Sequence, residues 1–293
     1  MTLDQARRAF AEELEAVAHL ESPELVDAFA RVPREAFLGA GPWQIGRALD
    51  LERPYRTTVD ADPRRIYHDV LVAIDPVRQL NNGQPSALAR WIEAAAIVHG
   101  NAVMHIGAGV GYYTAIMAEL AGPTGRVYAC EVDPNLAERA RAHLVPWPNV
   151  EVDASDASSP RGTFDVIFVN AGCTYARPEW LAALAPGGRI VLPLTIHIPQ
   201  IPQGVGAMFR IDRPAIQPSD PSSNGQADPR WPVRMISQVG IYDCTNARDP
   251  AHEPMLRALA APGMAARIRA LSIEPHAKGD ACLAHLDGFC LQT

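Results

Sequence analysis

The sequence has few cysteines, and none of them forms a Cys-x-x-Cys pair. The five are odd in number and widely spaced, and the nine histidines show no ligand-like clustering with them. The spacing therefore predicts neither a disulfide framework nor a bound metal. We expect free thiols and a reducing, cytoplasmic location. The cysteines are at positions 130, 173, 244, 282 and 290.

Long apolar runs and an excess of positive charge are also missing. The most apolar stretch, around residues 101–122, is broken by His105, Glu119 and several glycines, so it falls short of the roughly 18 apolar residues of a membrane span. The N-terminus mixes acids, bases and alanines, which predicts no signal peptide and no anchor. Since 26 basic residues face 33 acidic ones, for a net charge of −7, we expect no nucleic-acid partner and no membrane partner.

What is present is a globular composition with one excess. The chain has 293 residues, 48% apolar and 20% charged, and 26 of them are proline. Eight of the prolines lie in residues 193–232, which predicts a long loop interrupted by a strand near residues 206–211. The excess therefore marks stiffened loops and does not indicate a disordered chain.

Apolar periodicity predicts the elements along the chain. Helices are expected at residues 3–20, 22–31 and 86–98, whereas residues 32–84 look irregular. Beyond them, strands alternate with helices, which predicts a parallel sheet with covered faces. Those strands are expected at 102–106, 126–130, 149–154, 164–170 and 189–194, followed by one at 233–242 and a weakly patterned tail.

A glycine-rich turn follows the first of these strands. Gly107, Gly109 and Gly111 let the backbone turn sharply and approach a ligand beside the N-terminus of the next helix. Glu131 ends the next strand, where an acid can accept hydrogen bonds from both hydroxyls of a ribose. Asp156 follows the third strand and can reach an adenine amino group. The pattern predicts a nucleoside-bearing cofactor, and the alternative is a tight turn with solvated acids.

The glycine spacing distinguishes two classes of cofactor. Dinucleotide sites use G-x-G-x-x-G, whose third glycine supports close packing beneath a pyrophosphate. The spacing here is G-x-G-x-G. That spacing favours S-adenosylmethionine, which has no phosphate, and makes a nicotinamide dehydrogenase the weaker hypothesis.

Two long segments resemble the protein-L-isoaspartate O-methyltransferases. VMHIGAGVGYYTAIMAELAGPTGRVYACEVDP and FDVIFVNAG…LAPGGRIVLPL resemble that family's core, and RVPREAFL (31–38) and IYHDV…LNNGQPSALARWIEA (66–94) resemble its upstream segments. The resemblance covers roughly residues 20–245. It implies an α/β fold, Rossmann-like and doubly wound, whose mostly parallel sheet has seven strands, with an N-terminal helical extension and a C-terminal extension.

The resemblance also implies roles for individual residues. The three glycines would hold the methionine part of S-adenosylmethionine, Glu131 the ribose, and Asp156 with Ala157 the adenine. Asn170 would lie beside the methyl donor. The predicted cofactor-binding residues are His105, Gly107, Ala108, Gly109, Gly111, Glu131, Val132, Asp156, Ala157 and Asn170.

The sequence departs from the family pattern at two places near this site. His105 stands where the family has an acid in the first strand, and such a histidine is either packed or able to carry a proton. Asn81-Asn82-Gly83 replaces the family's Thr-Ile-Ser, so that Gly83 takes the place of the serine. We predict Asn81, Asn82 and Gly83 as catalytic substrate-loop residues, with a plain turn as the alternative.

The expected activity is S-adenosylmethionine-dependent methylation of an isoaspartyl or modified aspartyl carboxylate in a peptide or protein, a protein-repair reaction. Two alternatives stay open: a methyltransferase for a small molecule or a dedicated peptide, and a non-catalytic S-adenosylmethionine-binding protein. The predicted organisation is a helical and substrate-loop region (1–85), a methyltransferase core (86–245) and a C-terminal extension without an assigned role (246–293).

Overall fold

The computed structural model describes residues 1–47, 55–199, 201–215, 230–259, 261, 263–286 and 288–293. The chain divides into two compact units. The first contains Met1–Asn101 and Ala108–Ser155, and the second contains Ala102–Gly107 and Asp156–Thr293. The border between the units therefore passes through the glycine loop, directly after Gly107.

The helices are α1 (Leu3–Ala18), α2 (Pro23–Arg31), α3 (Pro85–Ala95), α4 (Tyr112–Ala121), α5 (Pro134–His143), α6 (Pro178–Ala183) and α7 (Glu253–Leu259). The strands are β1 (Gln44–Gly46), β2 (Arg56–Thr57), β3 (Leu71–Asp75), β4 (Leu80–Asn81), β5 (Ala102–Ile106), β6 (Arg126–Cys130), β7 (Val150–Asp153), β8 (Phe164–Val169), β9 (Leu184–Ile196), β10 (Gly204–Asp212), β11 (Trp231–Ile241), β12 (Ala270–Ser272), β13 (Cys282–Leu286) and β14 (Phe289–Gln292).

The first unit begins with the three predicted helices, and their ends follow from local side-chain chemistry. Thr2 and Gln5 form a reciprocal capping box before α1. Ser22 caps α2 by accepting a hydrogen bond from the Leu25 amide at 3.1 Å, and Pro23 takes the first helical position. Helix α3 ends three residues earlier than predicted, because Ala96 adopts a left-handed conformation with φ 50°.

Residues 32–84 contain a small antiparallel sheet where the sequence predicted irregular chain, so that prediction was wrong. The strand order is β2-β1-β3-β4. Each strand has only two to five residues, which is too short for alternation to be recognised against the surrounding prolines. The first unit also contains α4, α5 and the parallel pair β6–β7.

The second unit is built on a sheet whose strand order is β13-β14-β12-β11-β10-β9-β8-β5. Strands β5, β8 and β9 pair in parallel, as the alternation of strands and helices predicted. The remaining strands continue the sheet by antiparallel pairing. The predicted total of seven strands was too low, since this unit alone contains eight.

Burial follows the parallel pairing. Every residue of β8 except Asp165 is buried, as expected of a strand covered on both faces. Of the predicted proline-rich loop, residues 193–196 and 204–212 lie in strands β9 and β10, and residues 216–229 lie outside the described part of the chain. Among the described residues, no helix has both the length and the apolar character needed to cross a bilayer.

Candidate active site

The part of the glycine loop that lies in the first unit joins the end of β6. Gly109 has a φ of +57°, and a Cβ added to it would meet no described atom within 4 Å. Gly111 is different, because a Cβ there would lie 2.8 Å from a methyl carbon of Leu144. Gly111 is therefore favoured by its φ of +94° and by packing against Leu144, whereas Gly109 leaves space beside the backbone that a ligand can use.

Glu131 links the loop to the strand end through both of its carboxylate oxygens. Oε2 accepts a hydrogen bond from the Gly109 amide at 2.7 Å, and Oε1 accepts one from the Asp133 amide at 3.0 Å. The side chain is buried, and this burial raises its pKa, while the backbone hydrogen bonds act in the opposite direction. Each oxygen keeps a second lone pair, so the carboxylate can still accept hydrogen bonds from a ligand. The next residue, Val132, is 53% exposed.

Asp133 extends the same network and was not among the predicted site residues. It caps α5 by accepting hydrogen bonds from the amides of Asn135 and Leu136. The Arg78 guanidinium, on the turn between β3 and β4, lies 2.5 Å from its carboxylate and lowers the pKa of Asp133. The Asp-Pro pair at the start of α5 is a sequence pattern that predicts a helix N-terminus. No local pattern indicates that Arg78 pairs with Asp133.

The second unit holds five of the predicted cofactor residues, namely His105, Gly107, Asp156, Ala157 and Asn170. Asn170 follows β8 and donates its amide hydrogen to the Ile106 carbonyl at 2.8 Å. A Cβ on Gly107 would lie 3.1 Å from the Asn170 carbonyl oxygen, and Gly107 has a φ of +79°, so both the close approach and the backbone conformation favour glycine. Asp156 accepts a hydrogen bond from the Ser158 amide at 3.0 Å, and the hydrogen bonds from Ser158 lower its pKa. Ala157 accepts a hydrogen bond from the Trp180 indole at 2.8 Å.

His105 is packed inside the sheet of the second unit. Its ring has no exposed surface and contacts Phe168 edge to face, with 5.6 Å between ring centroids. Burial lowers the pKa of His105 to about 3, so the imidazole is neutral at pH 7. A cofactor could reach the ring only if the strand end moved. Its predicted place among the cofactor-binding residues stays a prediction.

The predicted catalytic loop is a tight turn in the first unit. Asn81 Oδ1 accepts a hydrogen bond from the Gly83 amide at 2.9 Å, which is an Asx turn, and Asn81 Nδ2 donates to the Tyr55 hydroxyl at 3.2 Å. Asn82 is buried, and its Oδ1 accepts hydrogen bonds from the Val72 amide and from Arg34. The turn that was the alternative to a catalytic role is present, and the catalytic role stays a prediction.

Gly83 has a φ of +80°, a conformation that residues with a side chain rarely adopt. A Cβ at this position would also lie 2.8 Å from a methyl carbon of Leu88. The replacement of the family's serine is therefore accompanied by a backbone conformation that disfavours a serine.

Arg34 holds this region together, a role that the sequence did not reveal. Its side chain is fully buried and donates hydrogen bonds to the carbonyl oxygens of residues 66, 68 and 70 at 2.5–3.0 Å, and to Asn82 Oδ1 at 3.3 Å. One guanidinium thereby joins two segments, residues 66–70 and the turn that contains Asn82. The sequence signal for this role is the position of Arg34 among the apolar residues of RVPREAFL, since a buried charge needs partners.

The cysteines form two groups. Cys130, Cys173 and Cys244 are buried thiols. Cys282 and Cys290, however, lie with His276 and His285 in one group whose ligand atoms are all within 4.8 Å of one another. The prediction that cysteines and histidines do not cluster was therefore wrong, because the residues are brought together by strand pairing and not by sequence spacing.

Comparisons with known proteins find relatives that are named protein-L-isoaspartate O-methyltransferases. The family model for protein-L-isoaspartate(D-aspartate) O-methyltransferase matches residues 52–213. The protein-L-isoaspartate O-methyltransferase of Ignicoccus hospitalis is 30% identical over 197 residues, covering 66% of this chain and 83% of that protein. The enzyme of the same name from Methanothrix thermoacetophila is 30% identical over 186 residues, covering 62% and 78%.

Solved structures show the fold. A protein-L-isoaspartate O-methyltransferase superposes with a TM-score of 0.62 at 21% identity, covering 86% of this chain and 70% of that one. A protein of Plasmodium falciparum described as a putative protein-L-isoaspartate O-methyltransferase, in complex with S-adenosyl-L-homocysteine, gives 0.58 at 15% identity, covering 82% and 98%. The predicted Rossmann-like α/β fold class is confirmed.

Proposed function

Because the chain belongs to the protein-L-isoaspartate(D-aspartate) O-methyltransferase family, we propose that it methylates a carboxylate of an isoaspartyl or modified aspartyl residue in a peptide or protein. S-Adenosylmethionine supplies the methyl group on a sulfonium that leaves as a neutral thioether. The carboxylate oxygen forms the new bond to the methyl carbon as the sulfur–carbon bond breaks. Cys130, Cys173 and Cys244 are buried free thiols, which agrees with the reducing cytoplasm that forms part of the proposal.

The hydrogen bond between Gly109 and Glu131 is the observation that carries the proposal. It places a buried carboxylate directly beside a loop amide whose own glycine has open space around it. A ribose needs two acceptors within one carboxylate, and an adenosyl group needs an apolar neighbour such as the exposed Val132. The residues present therefore fit S-adenosylmethionine, with Glu131 holding the ribose.

The chain's own residues position the substrate and need not remove a proton from it. A carboxylate is ionised at pH 7, so the reaction depends on alignment and on exclusion of water and requires no general base. Buried Arg34 fixes Asn82 and the loop before β3, and the Asx turn fixes Gly83. We propose that Asn81, Asn82 and Gly83 present the substrate carboxylate, in a region (1–85) that precedes the core (86–245) and the extension (246–293).

The test is methyl transfer to a defined peptide. The full chain is incubated with methyl-labelled S-adenosylmethionine and either an isoaspartyl peptide or the same peptide with aspartate. We expect base-labile label on the isoaspartyl peptide alone. Equal label on both peptides, or none on either, would contradict the proposed substrate. Calorimetry with S-adenosylhomocysteine shows whether the acceptor or the cofactor was wrongly assigned. Binding without methyl transfer rejects only the proposed acceptor, whereas absence of binding rejects the cofactor.

A further inference from the structure

The C-terminal region carries four side chains that are typical metal ligands. His276, Cys282, His285 and Cys290 all lie in the second unit and outside residues 52–213, which match the family. Cys290 is buried and the other three are half-buried. Each offers one donor atom, and the four donor atoms lie within 4.8 Å of one another. The set is therefore independent of the glycine loop and of the proposed methyl transfer.

A β-bulge explains why these residues share a face. In the antiparallel pair β13–β14, Cys282 lies opposite Gln292 and His285 lies opposite Cys290. In a regular strand, residues 282 and 285 would point to opposite faces, because side chains alternate. The register shift between Cys282 and Ala284 inserts one extra residue and returns both side chains to one face.

Two distances between donor atoms agree with tetrahedral coordination. His276 Nε2 lies 3.5 Å from Cys282 Sγ, and His285 Nδ1 lies 3.3 Å from Cys290 Sγ. Two ligands around one zinc ion, with bonds of about 2.0–2.1 Å to nitrogen and about 2.3 Å to sulfur, are separated by about 3.6 Å in tetrahedral geometry. The two imidazole rings lie nearly perpendicular, at 82°, so both nitrogens can face one centre.

Neighbouring polar groups orient three of the four donors, those of His276, Cys282 and Cys290. His276 Nδ1 lies 2.9 Å from the Glu274 carbonyl oxygen; with its proton there, Nε2 carries no proton and can bind a metal, and it lies 3.1 Å from the Gln292 side-chain nitrogen. The Gly279 amide donates to Cys282 Sγ at 3.4 Å, which stabilises a thiolate. The Gln292 amide nitrogen lies 4.0 Å and 3.9 Å from the two sulfur atoms. Both sulfurs therefore have donors of hydrogen bonds beside them.

We propose that His276, Cys282, His285 and Cys290 bind one zinc ion as a structural site. Two thiolates and two imidazoles are a donor set that zinc prefers, and four protein ligands leave no open position for catalysis. The ion would join the segment after β12 to the β13–β14 hairpin, whose strand β14 also pairs with β12. The C-terminal strands would thereby be closed by coordination as well as by pairing.

Metal content of the purified full chain tests the proposal directly. The protein is prepared with a histidine-free affinity tag and without chelator, and its metal is measured by mass spectrometry of the elements. We expect one zinc per chain in the wild type and in Cys130→Ala, which changes a buried cysteine of the first unit. We expect less than a tenth of that amount in the double variant Cys282→Ser/Cys290→Ser.

A second measurement uses only the wild-type chain, so it does not depend on whether the variants fold. Replacement of zinc by cobalt should give the visible bands of tetrahedral coordination and a sulfur-to-cobalt charge-transfer band. Alkylation of Cys282 and Cys290 should accelerate at least tenfold when a chelator is added, while that of Cys130 should not change. Two results would overturn the proposal: substoichiometric metal together with a Cys282–Cys290 disulfide, or a rate of alkylation of Cys282 and Cys290 that the chelator does not change.

Discussion

The glycine loop and the C-terminal hairpin both bring distant polar groups together, but they do so by different means. At the loop, one carboxylate of Glu131 accepts hydrogen bonds from two backbone amides. At the hairpin, four side chains from two strands and the preceding segment face one another. The loop therefore depends on backbone geometry and one acidic side chain, whereas the hairpin depends on the identity of four donor side chains.

This difference predicts how the two regions fail. A hydrogen bond from a backbone amide contributes about 1 kcal/mol, so the loss of one destabilises the loop without unfolding it. A structural zinc site loses its coordination when any ligand or the ion is removed, and the associated free energy is about 10 kcal/mol or more in small zinc domains. The predictions that follow test this contrast, from the largest expected effect to the smallest.

Removal of the metal gives the largest expected effect. We expect a chelator to increase amide hydrogen exchange in β13 and β14 by at least about a thousandfold, because the hairpin loses the ion that fixes its donors. Exchange in β6 and α5 of the first unit should stay within about twofold. Hydrogen exchange read by mass spectrometry of peptides provides both values from one sample.

The chelator itself is controlled by the Cys282→Ser/Cys290→Ser chain. Exchange in its β13 and β14 should be fast before any chelator is added and should not change afterwards. If the wild-type hairpin exchanges equally slowly with and without chelator, the contrast between the two regions is lost.

Replacement of Arg34 is expected to have the next largest effect. In Arg34→Ala, the carbonyl oxygens of residues 66, 68 and 70 lose a buried donor, and a cavity is left. We expect the free energy of unfolding to fall by about 3 kcal/mol. Urea denaturation followed by tryptophan fluorescence measures the change.

Arg31→Ala is the matched control. The Arg31 side chain is 55% exposed and forms a surface ion pair with Glu119 at 3.0 Å, so its loss should cost less than about 1 kcal/mol. Equal effects of the two substitutions would show that Arg34 does not organise the substrate loop.

The Arg34 network also shows what the sequence could and could not predict. Gly109 and Glu131 were predictable together, since carboxyl ends of successive strands in a βαβ pattern meet at one edge. Strands β1–β4 were not predictable, because they are short and are stabilised by residues that are distant in the sequence, such as Arg34. The hairpin cluster was not predictable either. Cys282 and His285 are three residues apart, a spacing that predicts opposite faces of a regular strand, and only the bulge places them on one face.

His105 predicts a dependence of stability on pH. Its pKa is lowered to about 3 in the fold, so between there and the ordinary value near 6.5 the unfolded chain binds a proton that the folded chain does not. The contribution to stability is therefore complete above pH 6.5 and is lost as the pH falls. We expect a loss of about 2 kcal/mol by pH 5. Urea denaturation at several pH values should show a correspondingly shallower dependence in His105→Asn.

His19→Asn provides the comparison, because His19 is exposed at the end of α1 in a left-handed conformation that asparagine tolerates. This variant should keep the wild-type pH dependence. If His105→Asn keeps it too, burial of His105 does not cause the loss of stability in acid.

Glu131 tests whether the loop's carboxylate serves a ligand as well as the backbone. In Glu131→Ala, we expect the dissociation constant for S-adenosylhomocysteine to rise at least tenfold, or about 1.4 kcal/mol, because the ribose loses both acceptors. Isothermal titration calorimetry measures it. Glu138→Ala removes an exposed carboxylate on α5 and should bind like the wild type. An unchanged constant in Glu131→Ala would reject the ribose role.

Gly83 gives the smallest expected effect and the sharpest control. Gly83→Ser restores the residue type of the family but places a Cβ at φ +80° and 2.8 Å from Leu88, so we expect a loss of about 1 kcal/mol in stability and no gain in methyl transfer. Gly39→Ser has a similar φ of +69° with no described atom within 4 Å, so it reports the conformational cost alone. The difference between the two, measured by urea denaturation, is the cost of crowding Leu88. Equal costs combined with faster methyl transfer in Gly83→Ser would mean that the turn can move, and that this loop, like the hairpin, depends on which side chain it carries.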